Sequence, residues 1–268
     1  MIPKIIHYCW FGENPLPELA LRCINSWKKF FPDYEIKEWN EKNFDLECCA
    51  YVKEAYKAKK WAFVSDYARF WILYNYGGVY FDTDVEVIKD MRDIIDQGAF
   101  MGCETADKCA PGLGLGVVPG LDLYKEILVD YQQAHFINDD GSFNYETVVD
   151  RVTNILKRHG FIKCENIQKI AEITLYPSEY FCPLDYATGK LNITENSYSI
   201  HWYDASWLDE DMKKRRNRSE KIRNMFPGRI GTYLGKAYMT CSYYWKWIST
   251  GKWDIVREKL GKKLKKNR

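Results

Sequence analysis

The amino-acid sequence predicts an α/β fold in which helices flank a central sheet, followed by a helical extension at the C-terminus. Short apolar runs with strand character alternate with longer helical patterns through the first third of the chain, which is the order typical of α/β sheets. Glycines and prolines separate these runs. A chain of 268 residues is long enough for one large domain with an extension.

The first part of the chain is predicted to alternate strand and helix. In order, the elements are a strand over 2–8, a helix over 18–31, a strand over 34–39, a helix over 46–76 and a strand over 79–81. The helix over 18–31 carries its apolar side chains on one stripe. Gly77 and Gly78 end the second helix and lead into the third strand.

The second part of the chain is predicted to be less regular. Its elements are strands over 85–88 and 99–103, helices over 122–135 and 145–159, and a strand over 199–202. The aromatic stretch over 175–181 is expected to be irregular. The glycine-dense segment over 111–120 has GxGxG spacing with no helix starting after it, so we expect a tight loop that enters a strand and not a dinucleotide-binding loop.

The C-terminal extension differs in charge from the rest of the chain. Residues 208–268 hold 18 Lys and Arg against 6 Asp and Glu, whereas residues 1–207 hold 21 against 31. We therefore divide the chain into a body over 1–207 and a basic, aromatic-rich extension over 208–268, with two or three helices and a break at 226–228. Two interpretations stay open for the extension: peripheral contact with an anionic membrane, or a helical cap packed on the body. The acidic body argues against nucleic acid as a partner.

Cysteine usage and hydropathy indicate the compartment. The nine cysteines have no paired CxxC spacing, which is typical of free thiols in a reducing compartment. The N-terminus has no long apolar segment of a cleaved signal, and no run of about 18 apolar residues is present. We expect a cytoplasmic protein. If the extension contacts a membrane and is not a packed cap, the contact is expected at the inner face.

Asp82 and Asp84 follow the third predicted strand at its carboxyl end, where ligands bind in open α/β sheets. The alternation of a strand sends both carboxylates to the same side, with Thr83 opposite. Hard oxygen ligands suit Mg²⁺ or Mn²⁺, and substrate phosphates usually complete the shell. The pair therefore indicates a metal site for a phosphorylated or nucleotide-activated substrate.

Asp66 and Arg69 are the only charged residues within the apolar stretch 61–73. They are three positions apart and so share one face of the predicted helix. A buried charge must be paired or directed at a ligand, because an unpaired one is costly. Either a bracing ion pair or a binding function fits, and the direct connection to the Asp82 strand favours function.

His201, Ser206 and Trp207 lie close together near the end of the body. An imidazole, a hydroxyl and an indole N–H are all suitable donors to a diphosphate. A single histidine beside aromatic residues is more often structural. The three together indicate a binding segment for a negatively charged group.

Four segments of the body together resemble the DxD-containing glycosyltransferases of family 32. They are residues 2–12, 62–69, 77–84 and 201–207. That family groups fungal Golgi α-mannosyltransferases with bacterial enzymes of capsular and surface polysaccharides, and it is similar to the glucosylating domain of large bacterial cytotoxins. The resemblance implies a GT-A fold with a central mixed sheet, a nucleotide-sugar donor, Mn²⁺ or Mg²⁺, and retention of anomeric configuration.

The resemblance also implies roles in donor binding. Tyr8, Cys9 and Trp10, at the end of the first strand, would contact the nucleobase. Asp66 and Arg69 would hold hydroxyls of the donor sugar and the ribose. We favour a UDP-sugar as the donor, with GDP-mannose as the alternative.

The remaining implied roles concern the metal and the diphosphate. Asp84 would bind the metal directly, and Asp82 would touch the sugar or ribose and a metal-bound water. His201 would lie near the metal or the diphosphate. Ser206 and Trp207 would donate hydrogen bonds to the diphosphate. The residues expected to be catalytic are Asp66, Arg69, Asp82 and Asp84.

The predicted reaction is transfer of a hexose to a hydroxyl of a growing surface polysaccharide or glycolipid, with a glycan or lipid-linked saccharide as acceptor. Two alternatives remain. A phosphohydrolase of the haloacid dehalogenase type also places DxD after a strand, although usually near the N-terminus. A non-catalytic carbohydrate-binding protein would account for the aromatic residues but not for the four charged ones.

Overall fold

A computed structural model describes residues 1–186, 188–204, 210–226, 228–249, 251 and 253. The chain divides into two compact units, Met1–Asp204 and Ala205–Arg268. The first unit contains a mixed sheet with helices on both faces. In the second, the described residues form two helices.

The strands of the first unit are short. They are β1 (Ile5–Cys9), β2 (Glu35–Trp39), β3 (Gly78–Tyr80), β4 (Val85–Val87), β5 (Phe100–Thr105), β6 (Lys108–Cys109), β7 (Leu115–Val117), β8 (Gln168–Ile170), β9 (Ile173–Tyr176) and β10 (Ser199–His201).

The helices connect these strands and continue into the second unit. They are α1 (Glu18–Phe30), α2 (Ala50–Lys57), α3 (Trp61–Tyr76), α4 (Arg92–Ile95), α5 (Asp122–Gln132), α6 (Val148–Arg158), α7 (Ser178–Phe181), α8 (Glu210–Met225) and α9 (Gly228–Ser249).

The main sheet has the strand order β2-β1-β3-β7-β5-β9-β8, with β6 paired to β5. Strands β2, β1 and β3 are parallel, whereas β7 runs antiparallel to both β3 and β5. Strands β4 and β10 form a separate antiparallel ribbon. The predicted α/β class, with a central mixed sheet flanked by helices, is confirmed.

Apolar side chains fill both faces of the sheet. One core packs α2, α3, α5 and α6 against the face that carries Cys9, Tyr80 and Met101. The other packs α1 against the face that carries Tyr8 and Val79. Because successive residues of a strand alternate between faces, β1, β3 and β5 contribute to both cores.

Helix α3 leads directly into β3, the strand that precedes Asp82 and Asp84. It is apolar along most of its length and buried, and Gly77 ends it with a φ of 63°, a left-handed conformation that glycine adopts without steric cost. Gly78 also has no room for a side chain, since a Cβ there would lie 2.7 Å from the carbonyl oxygen of Ile5. The two glycines therefore let β3 start immediately and pair with β1.

Three predictions of secondary structure were wrong. The helix over 46–76 is two helices, because Lys59 adopts a φ of 56° and the chain turns so that α2 and α3 pack on the same core. The stretch over 175–181 is regular and contains the end of β9 and all of α7. Asp82 and Asp84 lie in a turn after β3, where the Val85 N–H donates to the Asp82 carbonyl at 3.0 Å, so the turn and not strand alternation brings the carboxylates together.

The second unit is a helical hairpin. Gly231 and Gly235 of α9 face α8, since a Cβ on Gly231 would lie 2.2 Å from the Arg223 carbonyl oxygen. Ser219 of α8 donates to the Gly235 carbonyl at 2.9 Å. No helix among the described residues is long and apolar enough to cross a membrane.

Candidate active site

Asp66, Arg69 and Asp82 form a connected ion-pair group at the carboxyl end of β3. The Arg69 Nη2 atom lies 2.9 Å from Asp66 Oδ1 and 3.2 Å from Asp82 Oδ1. Arg69 is nearly inaccessible, and the side chain of Asp82 is the most exposed of the three at 30%. The buried guanidinium thus holds two carboxylates, one of which faces solvent.

Tyr80 and Gly112 fix the position of Asp82. The Tyr80 hydroxyl donates to Asp82 Oδ1 at 3.1 Å, and the Arg69 guanidinium lies 5.1 Å from the Tyr80 ring centroid. The Asp82 N–H donates to the Gly112 carbonyl at 3.0 Å. A Cβ on Gly112 would lie 1.9 Å from Asp82 Oδ2, so this loop approaches the carboxylate as closely as glycine alone permits.

Asp84 has a separate set of partners. His201 Nε2 lies 3.2 Å from Asp84 Oδ1, and the Asp204 N–H donates to Asp84 Oδ2 at 2.9 Å. The two carboxylates of the motif are therefore held differently, Asp82 by a guanidinium and a phenol, Asp84 by an imidazole and a backbone amide.

The ribbon of β4 and β10 brings His201 to Asp84. His201 lies opposite Val85 in the ribbon, and the Trp202 N–H donates to the Asp84 carbonyl at 2.9 Å. Tyr203 then adopts a φ of 52°, an uncommon conformation for a non-glycine residue. That turn directs the next amide, of Asp204, at the Asp84 carboxylate.

Asp82, Asp84 and His201 could hold a metal ion. One ligand atom from each lies within 4.8 Å of the other two, and among the described residues this is the one such group of three. Two carboxylate oxygens and an imidazole nitrogen fit a divalent cation, with Mn²⁺ better suited than Mg²⁺ to a nitrogen ligand. The predicted motif thus lies in a constellation with the right donor chemistry.

The electrostatics of the group follow from burial and pairing. Burial lowers the pKa of His201, but the Asp84 carboxylate outweighs this effect and raises it to about 10. Burial raises the pKa of Asp84, but His201 and the Asp204 amide together lower it by more. The pKa of Asp84 is therefore below its ordinary value. Burial raises the pKa of Asp66 to about 7 against the opposing charge of Arg69.

Tyr8 and Cys9, two of the residues predicted to meet the nucleobase, lie on β1 next to β3, and Trp10 follows β1 directly. The Tyr8 hydroxyl donates to Glu38 Oε2 at 2.7 Å, and the half-buried Trp10 donates to the Asn14 carbonyl at 2.6 Å. Cys9 is buried in the core beneath α3, where burial raises the pKa of its thiol to about 12. The Tyr8 hydrogen bond reaches β2, and the Trp10 hydrogen bond reaches the loop after β1. Neither reaches Asp82 or Asp84.

The structure brings together some, but not all, of the site residues predicted from the sequence. Asp66, Arg69, Asp82, Asp84 and His201 come together in the structure, whereas Ser206 and Trp207 lie outside the described residues. Sequence reasoning missed Tyr80, Gly112 and Asp204. Tyr80 could have been found, because it precedes Asp82 by two positions, and the glycine-dense segment was a signal for Gly112.

A comparison with protein-family models finds a match in the N-terminal part of the chain. Residues 17–101 match the model described as "Glycosyltransferase sugar-binding region containing DXD motif". The matched segment contains α1, α2, α3 and β3, and it includes the Asp66, Arg69, Asp82 and Asp84 side chains.

Curated relatives match over a similar length. Inositol phosphoceramide mannosyltransferase 1 of Schizosaccharomyces pombe is 30% identical over 111 residues, which is 37% of this chain and 33% of that protein. A glycosyltransferase of Acanthamoeba polyphaga mimivirus, L373, is 33% identical over 109 residues, or 37% of this chain and 42% of its own. The chain thus spans about a third of the length of the curated relatives it matches.

Among solved structures, a glycosyltransferase involved in glycosylation of the major capsid of PBCV-1 superimposes with a TM-score of 0.46 at 12% identity, over 76% of this chain and 95% of that one. The resemblance predicted from the four sequence segments is confirmed by the family model and the named relatives. Residues 17–101 are therefore similar to the sugar-binding region of DXD-containing glycosyltransferases, and the similarity to the named mannosyltransferases and glycosyltransferase extends over about the same length.

Proposed function

We propose that this protein is a metal-dependent, retaining glycosyltransferase that moves a hexose from a nucleotide-diphosphate sugar to a hydroxyl of a growing surface polysaccharide or a glycolipid. The observation that carries the proposal is the convergence of Asp82, Asp84 and His201 beside the Arg69 ion pair. The sequence favours a UDP-sugar as the donor. Two relatives are named mannosyltransferases, which supports GDP-mannose as the alternative donor.

In this proposal the two carboxylates of the motif have different roles. Asp84 and His201 bind the cation directly, because their ligand atoms are held at the site by the ribbon and by the Asp204 amide. Asp82, more exposed and anchored to Arg69, reaches toward the sugar and a cation-bound water. When bound, the cation neutralises the charge that develops on the leaving diphosphate.

The chain's own residues hold the donor for reaction. Arg69 and Asp66 are fixed against each other at 2.9 Å, which suits them to hold sugar and ribose hydroxyls in one orientation. Transfer on the same face of the sugar lets the leaving phosphate take the acceptor proton. A trapped covalent glycosyl adduct on the protein would contradict this route.

Metal-dependent release of nucleoside diphosphate tests the proposal. The protein is incubated with Mn²⁺ or Mg²⁺ and a panel of UDP- and GDP-sugars, with and without a saccharide acceptor. Release of nucleoside diphosphate that stops on chelation supports a transferase. Release of inorganic phosphate from phosphomonoesters would instead support the phosphohydrolase alternative, and sugar binding with no turnover would support a carbohydrate-binding protein.

The helical hairpin of the second unit supports a peripheral membrane contact. On α8, Lys214, Arg218 and Lys221 are exposed at helical spacing and so share one face. On α9, Tyr233 and Trp245 are 73% and 72% exposed. Cationic and aromatic side chains on one hairpin are the composition that binds an anionic membrane interface.

Vesicle binding tests this contact. The full chain is expected to sediment with vesicles that contain anionic lipid and not with neutral ones. Reversing the charge of Lys214, Arg218 and Lys221 to Glu is expected to abolish sedimentation. Equal sedimentation of both proteins would favour a helical cap packed on the body.

A further inference from the structure

A polar cluster of Tyr8, Glu38 and Asn40 lies where β1 and β2 end. Tyr8 is the register partner of Glu38 in the parallel pair, and its hydroxyl donates to Glu38 Oε2 at 2.7 Å. The Asn40 side-chain amide donates to the other oxygen, Oε1, at 2.7 Å. The carboxylate is thus fixed by one donor on each oxygen, and each oxygen keeps a second lone pair for a ligand.

The cluster has the right separation from the metal-binding group for a nucleoside. Strand β2 is two strands from β3 in the sheet order, and two strand spacings are about 10 Å. All three strands are parallel, so their carboxyl ends share one edge of the sheet, which is where nucleotides bind in α/β folds. A base at β1 and β2 with its diphosphate at Asp84 spans this distance.

The chemistry of the cluster distinguishes between bases. Guanine presents two adjacent donors, N1–H and the N2 amino group, and an ionised carboxylate accepts both in parallel. Uracil presents one N–H between two carbonyl groups, so the second carboxylate oxygen would face a carbonyl. Tyr8 and Asn40 hold the Glu38 carboxylate in place. The carboxylate therefore cannot rotate to avoid the uracil carbonyl.

We propose that Glu38 reads the guanine edge of the donor, and that the donor is a GDP-linked sugar. This inference rests on the proposed transferase function and replaces the sequence-based preference for UDP. The side chains of Tyr8 and Asn40 position Glu38, and the contacts that distinguish the bases are made by Glu38.

Calorimetric titration of nucleoside diphosphates into the full-length protein with Mn²⁺ tests the inference. GDP is expected to bind at least about tenfold more tightly than UDP, because one charge-assisted hydrogen bond is lost with uracil. Inosine diphosphate lacks the N2 amino group, and we expect it to bind about tenfold more weakly than GDP for the same reason. This comparison needs no substitution, so it holds even where a variant folds poorly.

Glu38→Gln gives the second test. A glutamine offers one acceptor and one donor, which opposes guanine and complements the N–H and carbonyl of uracil. We expect GDP affinity to fall about tenfold and UDP affinity to be retained or to rise. Glu35→Gln is the matched control, since Glu35 is exposed at the other end of β2 and should leave both affinities unchanged.

The outcomes separate this inference from the function it rests on. Tight GDP binding that weakens in Glu38→Gln supports both. Equal binding of GDP and UDP, a preference for UDP, or a preference for GDP that Glu38→Gln leaves intact overturns the guanine inference and leaves the transferase in place. Absence of binding by any nucleoside diphosphate with Mn²⁺ or Mg²⁺ overturns the two together.

Discussion

His201 Nε2 lies 3.2 Å from Asp84 Oδ1, although the two residues come from distant parts of the sequence. The ribbon of β4 and β10 makes this contact, because it sets His201 against Val85, the residue that follows Asp84. The metal-binding group therefore depends on the last strand of the first unit as much as on the DxD motif.

His201→Gln is expected to weaken Mn²⁺ binding at least about tenfold, since it removes the nitrogen ligand and the partner that orients Asp84. Calorimetric titration of Mn²⁺ measures the change. His135→Gln is the matched control, because His135 is exposed and paired with Glu54 at 2.8 Å, apart from the site. Equal Mn²⁺ affinity of the His201 variant and the unaltered protein would show that His201 is not a ligand.

Gly112→Ala is expected to displace the Asp82 carboxylate, because the added Cβ would lie 1.9 Å from Oδ2. We expect turnover to fall at least about tenfold through misplacement of a donor-binding group, with the fold retained. Gly120→Ala is the control. A Cβ at Gly120 meets nothing within 4 Å but its φ is 84°, so this variant should lose stability and keep its turnover.

Arg69→Met is expected to destabilise the protein. It leaves Asp66 buried without its partner, and breaking a buried ion pair typically costs about 3–5 kcal/mol. Urea unfolding measures the change in free energy. Arg92→Met should have no measurable effect, since the Arg92 side chain is 80% exposed, and adding Asp66→Asn to Arg69→Met should restore part of the loss.

The buried His7 predicts a pH dependence of stability. Burial lowers the pKa of His7 to about 4. Its Nδ1 accepts from Trp39 at 3.1 Å, so Nε2 carries the proton and donates to the Gly77 carbonyl at 3.0 Å. In the unfolded chain the imidazole takes up a second proton near pH 6.5, which the folded protein binds only near pH 4. The free energy of unfolding should therefore fall by about 3 kcal/mol as pH is lowered from 6.5 to 4.

His7→Gln isolates this effect, because a glutamine cannot titrate and can replace both hydrogen bonds. The difference in free energy of unfolding between His7→Gln and the unaltered protein should change across the window from pH 6.5 to 4. A difference that stays constant with pH would contradict a neutral, buried His7.

The sequence predicted those parts of the molecule that depend on local pattern. Apolar periodicity placed α1, and Gly77 marked the end of α3, because the left-handed φ of 63° strongly favours glycine. The break at Lys59 lies in a lysine-rich stretch, 57–60. Lysines do not by themselves end a helix, so the turn follows from the packing of α2 and α3 on a shared core.

The same distinction holds for the site. Asp66 and Arg69 could be paired from helical spacing alone, and the Asp82 and Asp84 pair was recognised from the strand before it. Neither the contact of Asp204 with Asp84 nor the approach of Gly112 to Asp82 follows from local pattern. Both depend on long-range pairing of strands, which residue spacing does not encode.

In the proposed function, Asp84 binds the cation needed to release the nucleotide. Initial rates of nucleoside-diphosphate release from a donor sugar, with Mn²⁺ present, should be measured for Asp84→Asn and for Asp107→Asn, an exposed aspartate outside the group. We expect Asp84→Asn to reduce release to the level seen with chelator, because a neutral amide is a poor ligand for a hard cation, and Asp107→Asn to retain the full rate. Near-normal release by Asp84→Asn would contradict the account.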